Sequence, residues 1–229
     1  MGTAKGNTAA GFPTIGEIKK AAASAVRLMH EAYALGVFFS PDTRMGNAFI
    51  RVNYGFAAMT PTGDKFDINP SGISLVEIKS GLSMNNVKPT SESAMYLDIL
   101  RALPDTKAGM HLHGNFSLPF VRFRGARALE IEDFAESEYY IGKKGKCDVV
   151  SVVKGKSGSA ELAKSVSRCF MDGAQVVVIE GAKGEYHGTV AISSKGDGLI
   201  ALREAFDKLI DIEYIARIKI IEAQLSRKI

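Results

Sequence analysis

The sequence predicts an α/β (α+β) chain folded as a single domain around one β-sheet, and three observations carry that prediction. Segments with apolar residues at helical spacing alternate along the chain with short β-branched or alternating runs that read as strands. The length, 229 residues, suits one large domain, and a core of that size needs no disulfide or metal staple. No internal repeat and no dividing linker interrupts the chain. At 46% hydrophobic and 24% charged residues, the composition is that of an ordinary globular protein and excludes collagen-like, coiled-coil and disordered chains. No apolar run approaches the ~18 residues of a membrane span, and no signal-peptide stretch opens the sequence. With two cysteines, Cys147 and Cys169, the expectation is a cytoplasmic protein in a reducing compartment.

The elements follow in order. Residues 1–14 are small and Gly/Ala/Thr-rich and read as a flexible start, with the folded domain over 15–229. Ile18, Ala22, Val26, Leu28, Met29 and Tyr33 keep helical spacing over residues 15–35, and Gly36 ends that helix. After a polar loop, residues 48–52 read as a strand, with another near 55–59. Residues 67–72 are turn chemistry, ahead of an extended piece over 74–79. Thr90 or Ser91 caps a helix over 94–103, which Pro104-Asp105 ends. A short apolar strand covers 108–113. Extended pieces follow near 121–123 and 149–153, then a helix over 159–171 and the β-branched run 176–179. A strand over 188–193 and an amphipathic helix over 199–225 close the chain.

The chemistry centres on histidine. The chain has four, and His111 and His113 flank Leu112 on a predicted strand. Side chains repeat every two residues along a strand, so both imidazoles share a face while Leu112 turns into the core. Two imidazoles so spaced suit one divalent metal, or they are strand histidines that face solvent or bond locally. His187, in Tyr186-His187-Gly188, offers a third ligand through the fold, and a three-histidine set leaves positions open for substrate. Glu92, at the start of the preceding helix, is either a carboxylate reaching that site or a first-turn acid favoured by the helix dipole. His30, beside Glu31, has no such companion and reads as structural or surface. Asn47, Ser71, Gly72, Thr90 and Ser91 sit at turns or a helix start, where N–H groups and hydroxyls suit phosphate oxygens, or serve as ordinary turns and a cap. Lys+Arg 29 against Asp+Glu 25 gives +4, scattered rather than striped. That argues against a nucleic-acid footprint and is compatible with small anionic metabolites.

These pieces, in this order, resemble the class II aldolase/adducin family over residues 15–225. Lys88-Pro89-Thr90-Ser91-Glu92, Met95, Ala102-Leu103-Pro104-Asp105 and His111-Leu112-His113 are similar to its K-P-S-S-E…R-P-D…H-x-H signature. Gly46-Asn47-Ala48-Phe49-Ile50-Arg51 resembles its G-N-x-S-x-R strand, and Asn69-Pro70-Ser71-Gly72 its T-P-[ST]-G turn. Gly158-Ser159-Ala160-Glu161 is similar to the helix start after the family's middle section. Tyr186-His187-Gly188 matches its N-H-G, and Leu202-Arg203-Glu204-Ala205-Phe206 its closing helix. Tyr96 departs from a common histidine, Phe49 and Gly114 from common serines, and residues 181–184 and 195–198 look like extra length.

The resemblance implies a mostly antiparallel sheet of nine or so strands flanked by helices, assembled as a homotetramer; charge and hydropathy add the expectation of no nucleic-acid or membrane partner. It implies that His111, His113 and His187 bind Zn²⁺ or another divalent ion such as Mn²⁺, Fe²⁺ or Co²⁺. Glu92 would be the acid/base, and Asn47, Ser71, Gly72, Thr90 and Ser91 would hold a phosphate. Tyr139 or Tyr140 would be the distal proton donor, contributed across a subunit contact. The implied activity is aldolase-type lysis of a small phosphorylated hydroxy-carbonyl compound through a metal-stabilised enediolate. The same family frame includes epimerases, dehydratases, decarboxylases and adducin-like interaction modules. Glu92 favours the aldolase over the epimerase branch, where aspartate is typical.

Overall fold

Strands whose residues are apolar on both sides must be covered on both faces, and that dictates a layered architecture. Every residue of β1 (Gly46–Arg51) and of β4 (Ala108–Leu112) is buried. The computed structural model describes residues 11–35, 46–63, 68–117, 119–120, 128–129, 150–184 and 186–226. Among these, β1 and β4 join β2 (Phe56–Met59), β3 (Ser74–Glu77), β5 (Ala128–Leu129), β6 (Val150–Gly155), β7 (Val176–Gly181) and β8 (Tyr186–Ser193) in one eight-stranded sheet. Its order is β3-β2-β1-β4-β8-β7-β6-β5. All neighbours run antiparallel except β6 and β7, whose parallel pairing is made by a helical crossover. The mostly antiparallel expectation holds. The short β5 carries no recognisable strand pattern, and the extended piece expected near 121–123 lies outside the described residues.

Among the described residues, four long helices cover the sheet: α1 (Ile15–Ala34), α2 (Ser93–Ala102), α3 (Ala160–Met171) and α4 (Gly198–Leu225). Leu28 and Met29 of α1 and Leu202, Phe206 and Leu209 of α4 pack on Ala48, Ile50, Met110, Leu112 and Val178. Met95 and Ile99 of α2 and Leu162 and Val166 of α3 pack on Phe49, Met59, Val177 and Val190 of the other face. Each helix start has a chemical cause. Thr14 and Glu17 form a reciprocal capping box for α1, with N–H to carboxylate at 2.7 Å and N–H to hydroxyl at 3.2 Å. Ser159 Oγ accepts the Leu162 N–H at 3.2 Å, and Asp197 Oδ1 accepts those of Leu199 and Ile200. α2 differs from expectation. Its cap position is Glu92, which makes no side-chain cap bond, while Thr90 Oγ1 accepts the Glu92 N–H just upstream.

The far end of α2 is closed by a buried cation. Arg51, 8% exposed, donates from Nη2 to the Leu100 carbonyl at 2.6 Å and from Nε to the Thr106 carbonyl at 2.7 Å. It thus satisfies carbonyls left over at a helix C-terminus and ties β1 to the start of β4. Arg51→Met is expected to lower unfolding free energy by about 2–4 kcal/mol, because those buried carbonyls lose their donors. Urea denaturation measures it, and an unchanged midpoint would show that solvent replaces the guanidinium.

The alternation of direction decides where the site forms. The start of β1, the ends of β2, β4, β6 and β7, and the starts of β3 and β8 all reach one edge of the sheet.

Candidate metal centre

His111 stands in the middle of the sheet, with Asn47 of β1 opposite on one side and Val190 of β8 on the other. It is fully buried. Its Nδ1 lies 3.1 Å from the Thr189 carbonyl. A carbonyl only accepts, so Nδ1 carries the proton, and a neutral ring presents a lone pair at Nε2. That Nε2 is 3.0 Å from Nε2 of His113. The strand itself ends at Leu112 rather than His113, yet the two imidazoles still share a face and Leu112 is buried on the other.

His187 arrives by a different device. It lies within β8, not ahead of it. On an unbroken strand it would point away from Val190 and hence away from His111. The β7–β8 ladder slips instead: Ile179 pairs with Gly188 and Glu180 with Tyr186, leaving His187 as the extra residue of a bulge. One extra residue reverses the alternation and turns the imidazole to the histidine face. The ring centroids then lie 4.8, 5.3 and 5.4 Å apart. Gly188 makes this approach possible. Its φ is +120°, and a Cβ there would stand 2.6 Å from His111 Cε1 and 2.7 Å from the Leu112 carbonyl.

Glu92 completes the cluster from the start of α2. It is 3% exposed, accepts the Ser157 hydroxyl at Oε1, and places that oxygen 3.3 Å from His187 Nε2. Burial pushes its carboxyl up, but the approach of His187 and the bonds from Ser157 and the Gly158 N–H outweigh that and hold it below the usual glutamate value. The first-turn reading is therefore superseded: the carboxylate faces the histidines instead of capping its helix. Glu92 Oε2 and His187 Nε2 are buried with no hydrogen-bond partner. Among the described residues no three donors are already gathered at metal distances. Two are, and the third ring stands beside them. The residues fit a divalent cation all the same. Tetrahedral zinc at 2.0–2.1 Å sets its nitrogens ~3.3 Å apart, near the observed 3.0 Å, and an orphaned imidazole and carboxylate await a partner.

The candidate phosphate residues divide. Asn47 is buried opposite His111, and the Tyr96 hydroxyl donates to its Oδ1 and approaches its carbonyl at 2.9 Å. Thr90 is buried next to it, since Thr90 N–H reaches the Thr60 carbonyl and Thr60 N–H the Ala48 carbonyl. Ser91 is exposed. Ser71 and Gly72 lie in a 3-10 turn whose donors are spent locally, Ser71 N–H on Asn69 Oδ1 and Gly72 N–H on the Asn69 carbonyl, both at 3.0 Å. Tyr139 and Tyr140 lie outside the described residues. His30 is exposed on α1. Sequence reasoning missed Ser157 and Thr189, which hold Glu92 and His111. Only the glycine after the first, Gly158, and the glycine before the second, Gly188, hinted at tight backbone there, and both take positive φ.

Comparison with known proteins shows the family and the fold. Residues 25–220 match the family model described as the class II aldolase and adducin N-terminal domain. An L-fuculose phosphate aldolase of Methanococcus vannielii is 30% identical over 161 residues, 70% of this chain and 76% of that protein. The L-fuculose-1-phosphate aldolase structure from Thermus thermophilus superposes with a TM-score of 0.72 at 19% identity, covering 92% of this chain and 96% of that one. The Escherichia coli protein YgbL, described as an aldolase/epimerase/decarboxylase, gives 0.72 at 21% identity over 89% and 90%. These last two likenesses are of fold.

Proposed function

Because this chain belongs to the class II aldolase and adducin family, we propose that it is a metal-dependent aldolase-type lyase. It makes or breaks a carbon–carbon bond in a small phosphorylated hydroxy-carbonyl compound. The observation that carries this reading is the grouping of buried His111 and Glu92 with half-buried His113 and His187, with two Nε2 atoms 3.0 Å apart and a carboxylate oxygen without a partner alongside.

His111, His113 and His187 hold the metal, which is Zn²⁺ or a divalent neighbour. The cation supplies Lewis acidity, stabilising the negative charge released when the bond breaks. Glu92 moves the proton at Oε2, while the Ser157 hydroxyl and the Gly158 N–H fix the other side of its carboxylate. Asn47 meets the substrate phosphate with its amide N–H groups, since the Tyr96 hydroxyl takes its Oδ1. Thr90, Ser91, Ser71 and Gly72 frame the same sheet edge. Tyr139 or Tyr140 of a neighbouring copy in a homotetramer protonates the distal end of the substrate. Retention of the histidines speaks against an adducin-like module. The chain acts in the cytoplasm on diffusible sugar phosphates, and no described helix is long and apolar enough to cross a membrane.

The test is elemental analysis followed by a retro-aldol screen of the metal-loaded protein with ketose 1-phosphates, scored by released dihydroxyacetone phosphate. About one divalent ion per chain and chelator-sensitive release are expected. Release that survives complete removal of metal would overturn the reading, as would a protein that retains no metal.

A further inference from the structure

Glu213 is a buried carboxylate that the proposed reaction does not use. It sits on α4, fully buried, and turns toward the loop that follows His113. Its Oε2 accepts the Phe116 N–H at 2.8 Å and its Oε1 the Ser117 N–H at 3.0 Å. The Ser117 hydroxyl bonds it as well. One turn further along α4, the Arg217 guanidinium lies 5.6 Å over the Phe116 ring. Gly114 is shaped to this arrangement, because a Cβ there would fall 1.9 Å from Glu213 Cδ and 2.0 Å from Oε1.

His111 and His113 are anchored differently. The backbone of His111 is held by ladders to both β1 and β8. Both ladders stop at Leu112, so the peptide of His113 projects beyond the sheet. Beyond it, the next fixed points are the N–H groups of Asn115, Phe116 and Ser117 on Glu213. A carboxylate accepting several backbone N–H groups in a dry site is a strong restraint on their loop, and a buried carboxylate with no cationic partner is a poor choice for stability alone.

We propose that Glu213 is a positioning residue for the metal centre: by latching the 114–117 loop to α4 it sets the direction of His113 and so the geometry of the imidazole pair. This rests on the metal reading of the site. Its test uses metal binding and spectroscopy rather than turnover. Zinc affinity of the full-length apoprotein is measured by competition with a chromophoric chelator, and the visible spectrum of the Co²⁺-loaded protein reports coordination geometry. Glu213→Gln keeps the volume but puts an N–H₂ against backbone donors. It is expected to weaken zinc roughly 10–100-fold, the range for outer partners of metal ligands, and to change the Co²⁺ band intensity. Ser117→Ala, which leaves the carboxylate in place, should give a smaller loss in the same direction and serves if Glu213→Gln does not fold. Ile215→Val, buried on the same helix, controls for general loosening and should lower the melting temperature with zinc affinity kept within twofold. The inference is overturned if wild type binds zinc and Glu213→Gln, or Ser117→Ala in its place, binds it within twofold with an unchanged Co²⁺ spectrum. If wild type binds neither ion, the metal reading fails and the inference falls with it.

Discussion

Replacing His111 with alanine is expected to strip the protein of its divalent ion and reduce retro-aldol turnover by roughly 10³-fold or more. A Lewis acid contributes several kcal/mol of charge stabilisation to such a reaction, and each ~1.4 kcal/mol is a factor of ten. His111 is the best-anchored of the three imidazoles. It is fully buried, its Nδ1 is held by the Thr189 carbonyl, and its Nε2 lies 3.0 Å from that of His113. Alanine also leaves a cavity and a carbonyl without its donor, for about 2–4 kcal/mol of stability. Metal content therefore has to be read on the folded fraction, by elemental analysis after gel filtration. His187→Ala, outside the regular ladder, should lose metal too with less damage to stability. A His187→Ala protein holding wild-type stoichiometry while His111→Ala holds none would replace the three-imidazole set by the two histidines alone.

Glu92→Gln is the second large effect, and it should separate chemistry from assembly. Glutamine is isosteric and its carbonyl oxygen can still accept the Ser157 hydroxyl, so the fold and the metal should persist. It cannot exchange a proton, and kcat is expected to fall by roughly 10²–10⁴ with KM little changed. Steady-state kinetics on matched, metal-loaded samples measures this. Turnover within a few-fold of wild type would remove Glu92 from the proton-transfer role and return it to a purely electrostatic neighbour of His187.

Much of the framework was legible in the sequence, because helical spacing and β-branched runs report local burial directly. The helices over 15–34 and 160–171, and the strand pairing partners' approximate bounds, needed only that. The His-x-His pair was legible too, since a period of two is a backbone property. What escaped was the means by which distant segments meet. His187 has the wrong parity for its own strand, and only the register with β7 creates the bulge that corrects it. Glu92 read either as a helix-start acid or as a carboxylate reaching the site, and the choice is decided by Ser157 and His187, 65 and 95 positions away in the chain. Arg51 belonged to a recognised strand motif, yet its task at the end of α2 follows from tertiary packing. Glu213 carried no signal at all, because its partners are backbone N–H groups.

The placement of β4 between β1 and β8 has a consequence for how the molecule comes into being. The bond that fixes the His111 tautomer spans 78 positions in the chain, and Glu213 reaches its loop across nearly a hundred. Closing such loops is entropically slow, and their contacts come late in folding. Synthesis must pass β8 before the imidazoles can gather and must pass Glu213 before the loop behind them is tied down. On the proposed metal reading, the third imidazole and the tie behind His113 would both arrive only late in synthesis, so acquisition of the ion would follow folding rather than precede it.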